Sequence, residues 1–371
     1  MSGAGLRGMT GMGGLRGMAG VEQLARRARL AWWLGPWSSS ARPSNVRRRT
    51  VPMGGGGGPS YVYEPTDRAA RRAWLISPGL HYEGPDDPRM ERLAAVLASS
   101  GAVVMSPRSA ELCELRIGHG AITALEQAHV ALATDAAARG LPLHVMSVSV
   151  GALAAMRLAA HPRYGGDLER VVVVGGYADP TALVASLCGA DAAPRDPLNQ
   201  PAAFLTFLER LPGPIADRRK LAEAWRWFVR TAWARPAWKQ PGSTAHRRAA
   251  RELLGEVDAR DRELFLIGCG AAPGGHELVR EAQERGGFGY LDWRPHAANV
   301  RAEVVAIHGV NDQVIPIEQL DAICAAVPQA KAIRLGGFSH SSAIGGRQLL
   351  AQLPRLAEEA RAFGEVLRAV A

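Results

Sequence analysis

Short runs of consecutive apolar, often β-branched residues alternate along this chain with longer stretches in which apolar residues recur every three or four positions. The first pattern suits a strand buried on both faces, and the second an amphipathic helix packed over it. The opening runs, 46–53 and 60–64, read as two strands of a hairpin joined across the glycine run 54–58. Then come strand 73–77, helix 88–99, strand 102–106, helix 121–139, strand 141–146, helix 152–160 and the valine strand 170–175. Strand 302–308, helix 317–326, strand 330–335 and a closing helix over 347–370 complete the series. Such an alternation predicts an α/β protein with a mostly parallel twisted sheet and helices on both faces.

One interval breaks the rhythm. Residues 180–300 read as helices alone, at 181–188, 202–211, 216–233, 245–257 and 276–285, so a helical cap or lid is inserted after the sixth strand. The core is then expected over 45–179 and 301–371, with 180–300 as the cap. Trp225, Trp227, Trp233 and Trp238 lie in the cap. Rings at this density either pack between cap helices or line an apolar pocket, and Trp225 and Trp227 are the candidates for lining.

Charge separates a leader from this body. Of the net charge of +9, +8 falls in residues 1–60, which hold nine arginines and one acid, so residues 61–371 carry only +1. That distribution argues against nucleic acid as a partner of the body. Residues 1–44 are rich in Gly, Met and Arg and read as a disordered leader. Within it, 21–34 can form a basic amphipathic helix with Val21, Leu24, Ala25, Ala28, Ala31 and Trp32 on one face, a pattern that suits a membrane surface or a docking partner. The uncharged stretch 141–156 is too short to span a bilayer, and no signal-peptide core follows the first arginines, so a cytoplasmic location is expected. Cysteines at 113, 188, 269 and 324 have no paired spacing, and no histidine pair has metal-ligand spacing, so neither a disulfide framework nor a metal site is expected.

The candidate chemistry starts at Ser147-Val148-Ser149-Val150-Gly151, between strand 141–146 and helix 152–160. A serine on a sharp strand-to-helix turn lifts its hydroxyl above the sheet, and small residues two before and two after keep that strained turn free of clashes. This is the setting of a nucleophile elbow, with Ser149 as nucleophile and Ser147 in place of the usual first glycine. The glycine run 54–58 lacks the Gly-Lys-Ser/Thr ending of a phosphate loop and reads as a flexible connection.

With this elbow, residues 45–371 resemble the α/β-hydrolase family, whose chain order is nucleophile, acid, histidine. The loop Gly309-Val310-Asn311-Asp312-Gln313-Val314-Ile315-Pro316 is similar to the family's acid loop, and Gly336-Gly337-Phe338-Ser339-His340 falls where its histidine does. The resemblance implies Asp312 as orienting acid and His340 as general base, with Asp179, after the valine strand, as the alternative acid. Pro78-Gly79-Leu80 stands where relatives carry an oxyanion loop, which implies the backbone amides of Leu80 and Val150 as donors, with His81 beside them as a pocket-lining candidate. Taken singly, Ser149 also reads as a helix cap, Asp312 as a turn residue and His340 as a cap of the last segment. Together they imply a serine hydrolase of the α/β-hydrolase fold with a cap, acting on a carboxylic ester or related acyl bond of a small apolar substrate, without a cofactor. A peptidase, acyltransferase or carbon-carbon hydrolase on the same triad, and a binding protein that keeps the fold without catalysis, are the alternatives.

Overall fold

The computed structural model describes residues 11–34, 41–53, 58–189, 196–239, 243–337 and 356–371. Among them, eight strands form one sheet: β1 (Val46–Val51), β2 (Ser60–Pro65), β3 (Arg72–Ser77), β4 (Ala102–Ser106), β5 (Leu143–Val148), β6 (Leu168–Val174), β7 (Glu303–Gly309) and β8 (Lys331–Leu335). Their spatial order is β1-β2-β4-β3-β5-β6-β7-β8. β2 runs antiparallel to both β1 and β4, and every other pairing is parallel.

The unbroken apolar runs of the central strands follow from burial on both sides. Ala73, Leu75, Val145, Val171, Val173, Val304 and Ala306 point into one core. Their neighbours Trp74, Ile76, Met146, Val172, Val305 and Ile307 point into the other. The first core is closed by α4 (His119–Ala138), α5 (Ala152–Ala159) and the long helical insert between β6 and β7. The second is closed by α1 (Gly11–Leu34), α2 (Pro88–Ser99) and the terminal helix α13 (Leu356–Val370).

Between β4 and β5 the strand order reverses around β3. The chain leaves β3 toward α2 on one face and leaves β5 toward α5 on the other, so the two exits diverge and open a crevice at the strands' carboxyl ends. Helix starts here share a chemical signature: Asp87 before Pro88 and Asp179 before Pro180 each accept main-chain amides of the first turn, and the proline has no amide to leave unsatisfied.

The insert comprises α6 (Pro180–Cys188), α7 (Gln200–Phe207), α8 (Arg218–Trp233), α9 (Ala245–Glu252), α10 (Arg262–Gly268) and α11 (Gly275–Glu284), with short 3-10 turns directly before α7 and after α7 and α9. It is tied to the sheet side at several points. The Thr206 hydroxyl accepts from the Ile117 amide, Tyr290 donates to the Ile117 carbonyl, Arg226 donates to the Glu114 carbonyl, and Trp293 donates to the Tyr177 carbonyl.

Two features depart from the sequence reading, and one expected helix is described only in part. α10 and the short α3 (Ala110–Cys113) have no counterpart in the apolar pattern. Helix 347–370 is described from Leu356 onward, and its first part lies outside the described residues. The leader, expected to be ordered only over 21–34, is helical from Gly11, and its Leu30 is fully buried while Arg26 donates to the Ala371 carbonyl. Order comes from a partner surface, α2 and α13, that composition alone does not reveal.

Candidate active site

β5 ends at Val148 and α5 begins at Ala152, leaving one tight turn, Ser149–Gly151, between them. Ser149 has φ of 56°, in the left-handed region where a side chain costs about 1–2 kcal/mol. Such a conformation persists only where the surroundings overdetermine it. A Cβ on Gly151 would lie 2.4 Å from the Ser77 carbonyl oxygen and 2.6 Å from that of Pro78, while one on Gly79 would lie 3.2 Å from the Ser149 Cβ. The Ser77 hydroxyl donates to the Gly151 carbonyl at 2.8 Å. The β3 exit and the β5 exit are therefore pressed backbone to backbone.

Gly151→Ala is expected to lower unfolding stability by about 3 kcal/mol, because the obstructing atoms are main-chain oxygens that cannot rotate away. Urea unfolding should show a lower midpoint with an unchanged slope. Ser147, two residues before Ser149, is fully buried on β5 between Ser77 of β3 and Val173 of β6. Its hydroxyl has no hydrogen-bond partner among the described residues, so small size is what this position uses.

Leu80 follows Gly79, and no hydrogen bond among the described residues engages its amide. Leu80 and Val150 share the wall of an apolar pocket with Leu183 and Leu187 of α6, Phe207 of α7 and Leu291. Its volume is about 40 Å³, room for a few waters and no more. The Tyr177 phenol on this wall is buried, which pushes its pKa far up and keeps it neutral, and it donates to the Leu291 carbonyl at 3.1 Å.

Asp312 is buried in the loop after β7, and its Oδ1 accepts the amides of Val314 at 2.8 Å and Ile315 at 2.9 Å. Beneath it, His308 of β7 is fully buried and bonds the Ile315 carbonyl at 2.9 Å, with its Nε2 3.6 Å from Asp312 Oδ2. The loops after β7 and β8 are stitched together, since the Val310 amide donates to the Leu335 carbonyl and the Asn311 side chain to the Gly336 carbonyl. Glu359 of α13 accepts both the Gly336 and the Gly337 amides, at 2.7 and 3.1 Å. His340, three residues on, lies outside the described residues. Sequence patterning offers no sign of Glu359 or Asn311 in this arrangement, whereas the place of His308 on the strand leading into the loop was a usable signal.

Asp179 is engaged elsewhere. It caps α6 through the amides of Thr181 and Ala182, and it pairs with Arg294 at 2.9 Å. Gln319 holds the backbone on either side of it, accepting the Ala178 and Asp179 amides and donating to the Asp179 carbonyl.

The expected lining by His81, Trp225 and Trp227 differs from what surrounds the pocket, whose wall includes none of the three. His81 stacks between Tyr82 at 4.5 Å and Trp233 at 5.8 Å, bridging the β3 exit to α8. Trp225 is fully buried inside the insert, donating to the Phe265 carbonyl and packing edge-on to Phe204. Trp227 is 53% exposed and lines a separate surface depression with Cys113 and Arg230. Residues two apart on a helix face nearly opposite ways, which is why one of this pair went in and the other out.

Among the described residues, His81, Glu83 and Asp87 bring three metal-capable atoms within 4.8 Å of one another. Both Asp87 oxygens accept from the Arg89 side chain, and one also caps α2, so a cation there would meet a guanidinium already in place.

The strand order, the antiparallel β2 and the strained serine at the β5–α5 turn define the α/β-hydrolase fold. No protein-family model and no curated protein sequence matches the chain. Among solved structures it is similar to an acylaminoacyl peptidase of Pyrococcus horikoshii, at 10% identity and a TM-score of 0.43, over 88% of this chain but only 41% of that one. It is also similar to a bacterial membrane phospholipase A, at 14% identity and a TM-score of 0.39, over 95% and 96% of the two chains.

Proposed function

We propose that the protein is a serine hydrolase of neutral, apolar acyl compounds, with Ser149 as nucleophile, His340 as base and Asp312 as the acid that orients it. The observation that carries this reading is Ser149 itself, held at φ 56° in the crevice, near the Leu80 amide, which no described residue engages. A serine hydroxyl is a weak nucleophile at neutral pH, so His340 takes its proton as Oγ bonds to the substrate carbonyl carbon. The carbonyl oxygen becomes an oxyanion, stabilised by the amides of Leu80 and Val150. Collapse breaks the bond to the leaving group, which receives the proton from His340. Water then attacks the acyl-Ser149 ester, gives its proton to His340, and leaves a free acid with Ser149 reprotonated.

In the same reading the insert is a cap. A pocket of about 40 Å³ is too small for an acyl group beyond about two carbons, so productive binding requires α6 and α7 to move outward and close again over the chain. Apolar walls then favour neutral acyl groups. A fluorophosphonate probe should label the wild-type protein, and kcat/KM for p-nitrophenyl esters should rise from acetate to butyrate and exceed that of a succinate half-ester by about tenfold or more, since the half-ester would bury an unpaired carboxylate. Absence of labelling would sink the catalytic reading, and preference for the half-ester would sink the apolar one.

A further inference from the structure

The three large apolar side chains most exposed among the described residues, Val21 at 69%, Leu24 at 69% and Trp32 at 66%, sit on one helix, α1. With Ala28, also exposed, they are spaced i, i+3, i+7 and i+11 and so form a single stripe about 17 Å long. The stripe is not a loose end awaiting a place in the core. The opposite side of α1 is already seated: Leu30 is fully buried, Arg26 donates to the Ala371 carbonyl, and the Trp33 carbonyl accepts from Arg92 of α2.

Arg27 and Arg29 flank the stripe, and neither has a carboxylate partner among the described residues, whereas Arg47, Arg48 and Arg49 of β1 all pair with acids. The one acid of α1, Glu22, faces Arg71 at 3.7 Å. An apolar stripe carrying a tryptophan and bordered by unpaired guanidinium groups is the pattern of a helix that lies in a membrane interface.

We propose that this face of α1 docks the protein onto an anionic lipid surface, with Leu24 and Trp32 at the level of the acyl chains and Arg27 and Arg29 among the headgroup phosphates. A second copy of the chain is a poorer occupant, because a two-fold contact would bring the arginine-flanked faces of both copies together with no described carboxylate between them. α1 packs with α2 and α13 on the sheet face opposite the insert, so docking holds the protein at the surface without burying the pocket. The inference stands apart from the hydrolase reading and is tested without it.

The test is co-sedimentation of the full chain with large unilamellar vesicles of phosphatidylcholine alone and of phosphatidylcholine with one quarter phosphatidylglycerol. Wild type should partition at least about tenfold more strongly onto the anionic vesicles, and added salt should weaken that binding. Leu24→Glu/Trp32→Glu and Arg27→Glu/Arg29→Glu should each reduce it by about tenfold or more; the first pair is exposed and should leave thermal melting unchanged, while the second pair is half-buried, with Arg27 Nε shielded from solvent, and is compared below its own melting temperature. Equal binding to neutral and anionic vesicles, no binding by wild type, or double variants that bind like wild type would overturn the proposal. So would a wild-type dimer in light scattering that Leu24→Glu/Trp32→Glu turns into a monomer, which would make the face a self-interface.

Discussion

Ser149→Ala is expected to reduce kcat on a p-nitrophenyl ester by about 10⁴-fold or more and to abolish fluorophosphonate labelling, with thermal melting nearly unchanged. The size of the loss follows from the bond that can no longer form: without Oγ there is no acyl-enzyme, and what remains is substrate binding and oxyanion stabilisation. The fold should survive because alanine at residue 149 keeps the same Cβ in the same left-handed backbone, which the contacts around Gly79 and Gly151 impose from outside. Ser149→Gly makes a useful companion. It should be equally inactive yet at least as stable, since glycine carries no penalty at φ 56°. Full labelling of either variant would remove Ser149 from the mechanism.

Much of the sheet was legible because burial on both faces leaves a plain mark, an unbroken apolar run. Val171 to Val174 alternate between the two cores or their margins, and each is apolar for a different neighbour. The tight strand-to-helix turn was legible for a chemical reason: the residue two after Ser149 must be glycine, and the geometry at Gly151 gives that requirement a distance. Helix α10 left no such mark, since seven residues give barely two turns of periodicity. The partners that fix the loops after β7 and β8 were invisible for another reason. Glu359 reaches the Gly336 and Gly337 amides from a different helix, and Asn311 reaches across to Gly336, contacts that depend on how elements dock rather than on any local pattern.

The leader shows the same limit from the other direction. Its composition says that it cannot order itself, and the structure supplies the surface of α2 and α13 on which Leu30 and Arg26 settle. What the pattern did mark was the amphipathic face of 21–34, and it gave no sign that Leu30, outside that face, is what seats the helix. Leu30 faces inward, while Val21, Leu24 and Trp32 face solvent.

The sharpest division among the acids is expected between Asp312→Asn and Asp179→Asn. Asp312→Asn should lower kcat by about 10³–10⁴-fold with KM within a few-fold of wild type, because an amide there no longer favours the imidazole tautomer that accepts the serine proton and no longer stabilises the imidazolium that results. Its burial and the fixed amides of Val314 and Ile315 mean that the substituted side chain can keep its place, with the asparagine carbonyl accepting as Oδ1 does now. The loss should therefore be one of charge rather than of geometry. Asp179→Asn should behave differently. Asparagine caps α6 almost as well, and the pair with Arg294 joins two partly exposed groups, so stability should change by about 1 kcal/mol or less and kcat by less than about threefold. Single-turnover acylation rates for the two variants would separate the roles directly. If Asp179→Asn proved the crippled enzyme and Asp312→Asn the active one, the acid would lie after β6, and the network of His308, Asn311 and Glu359 would be scaffolding for the β7 and β8 loops alone.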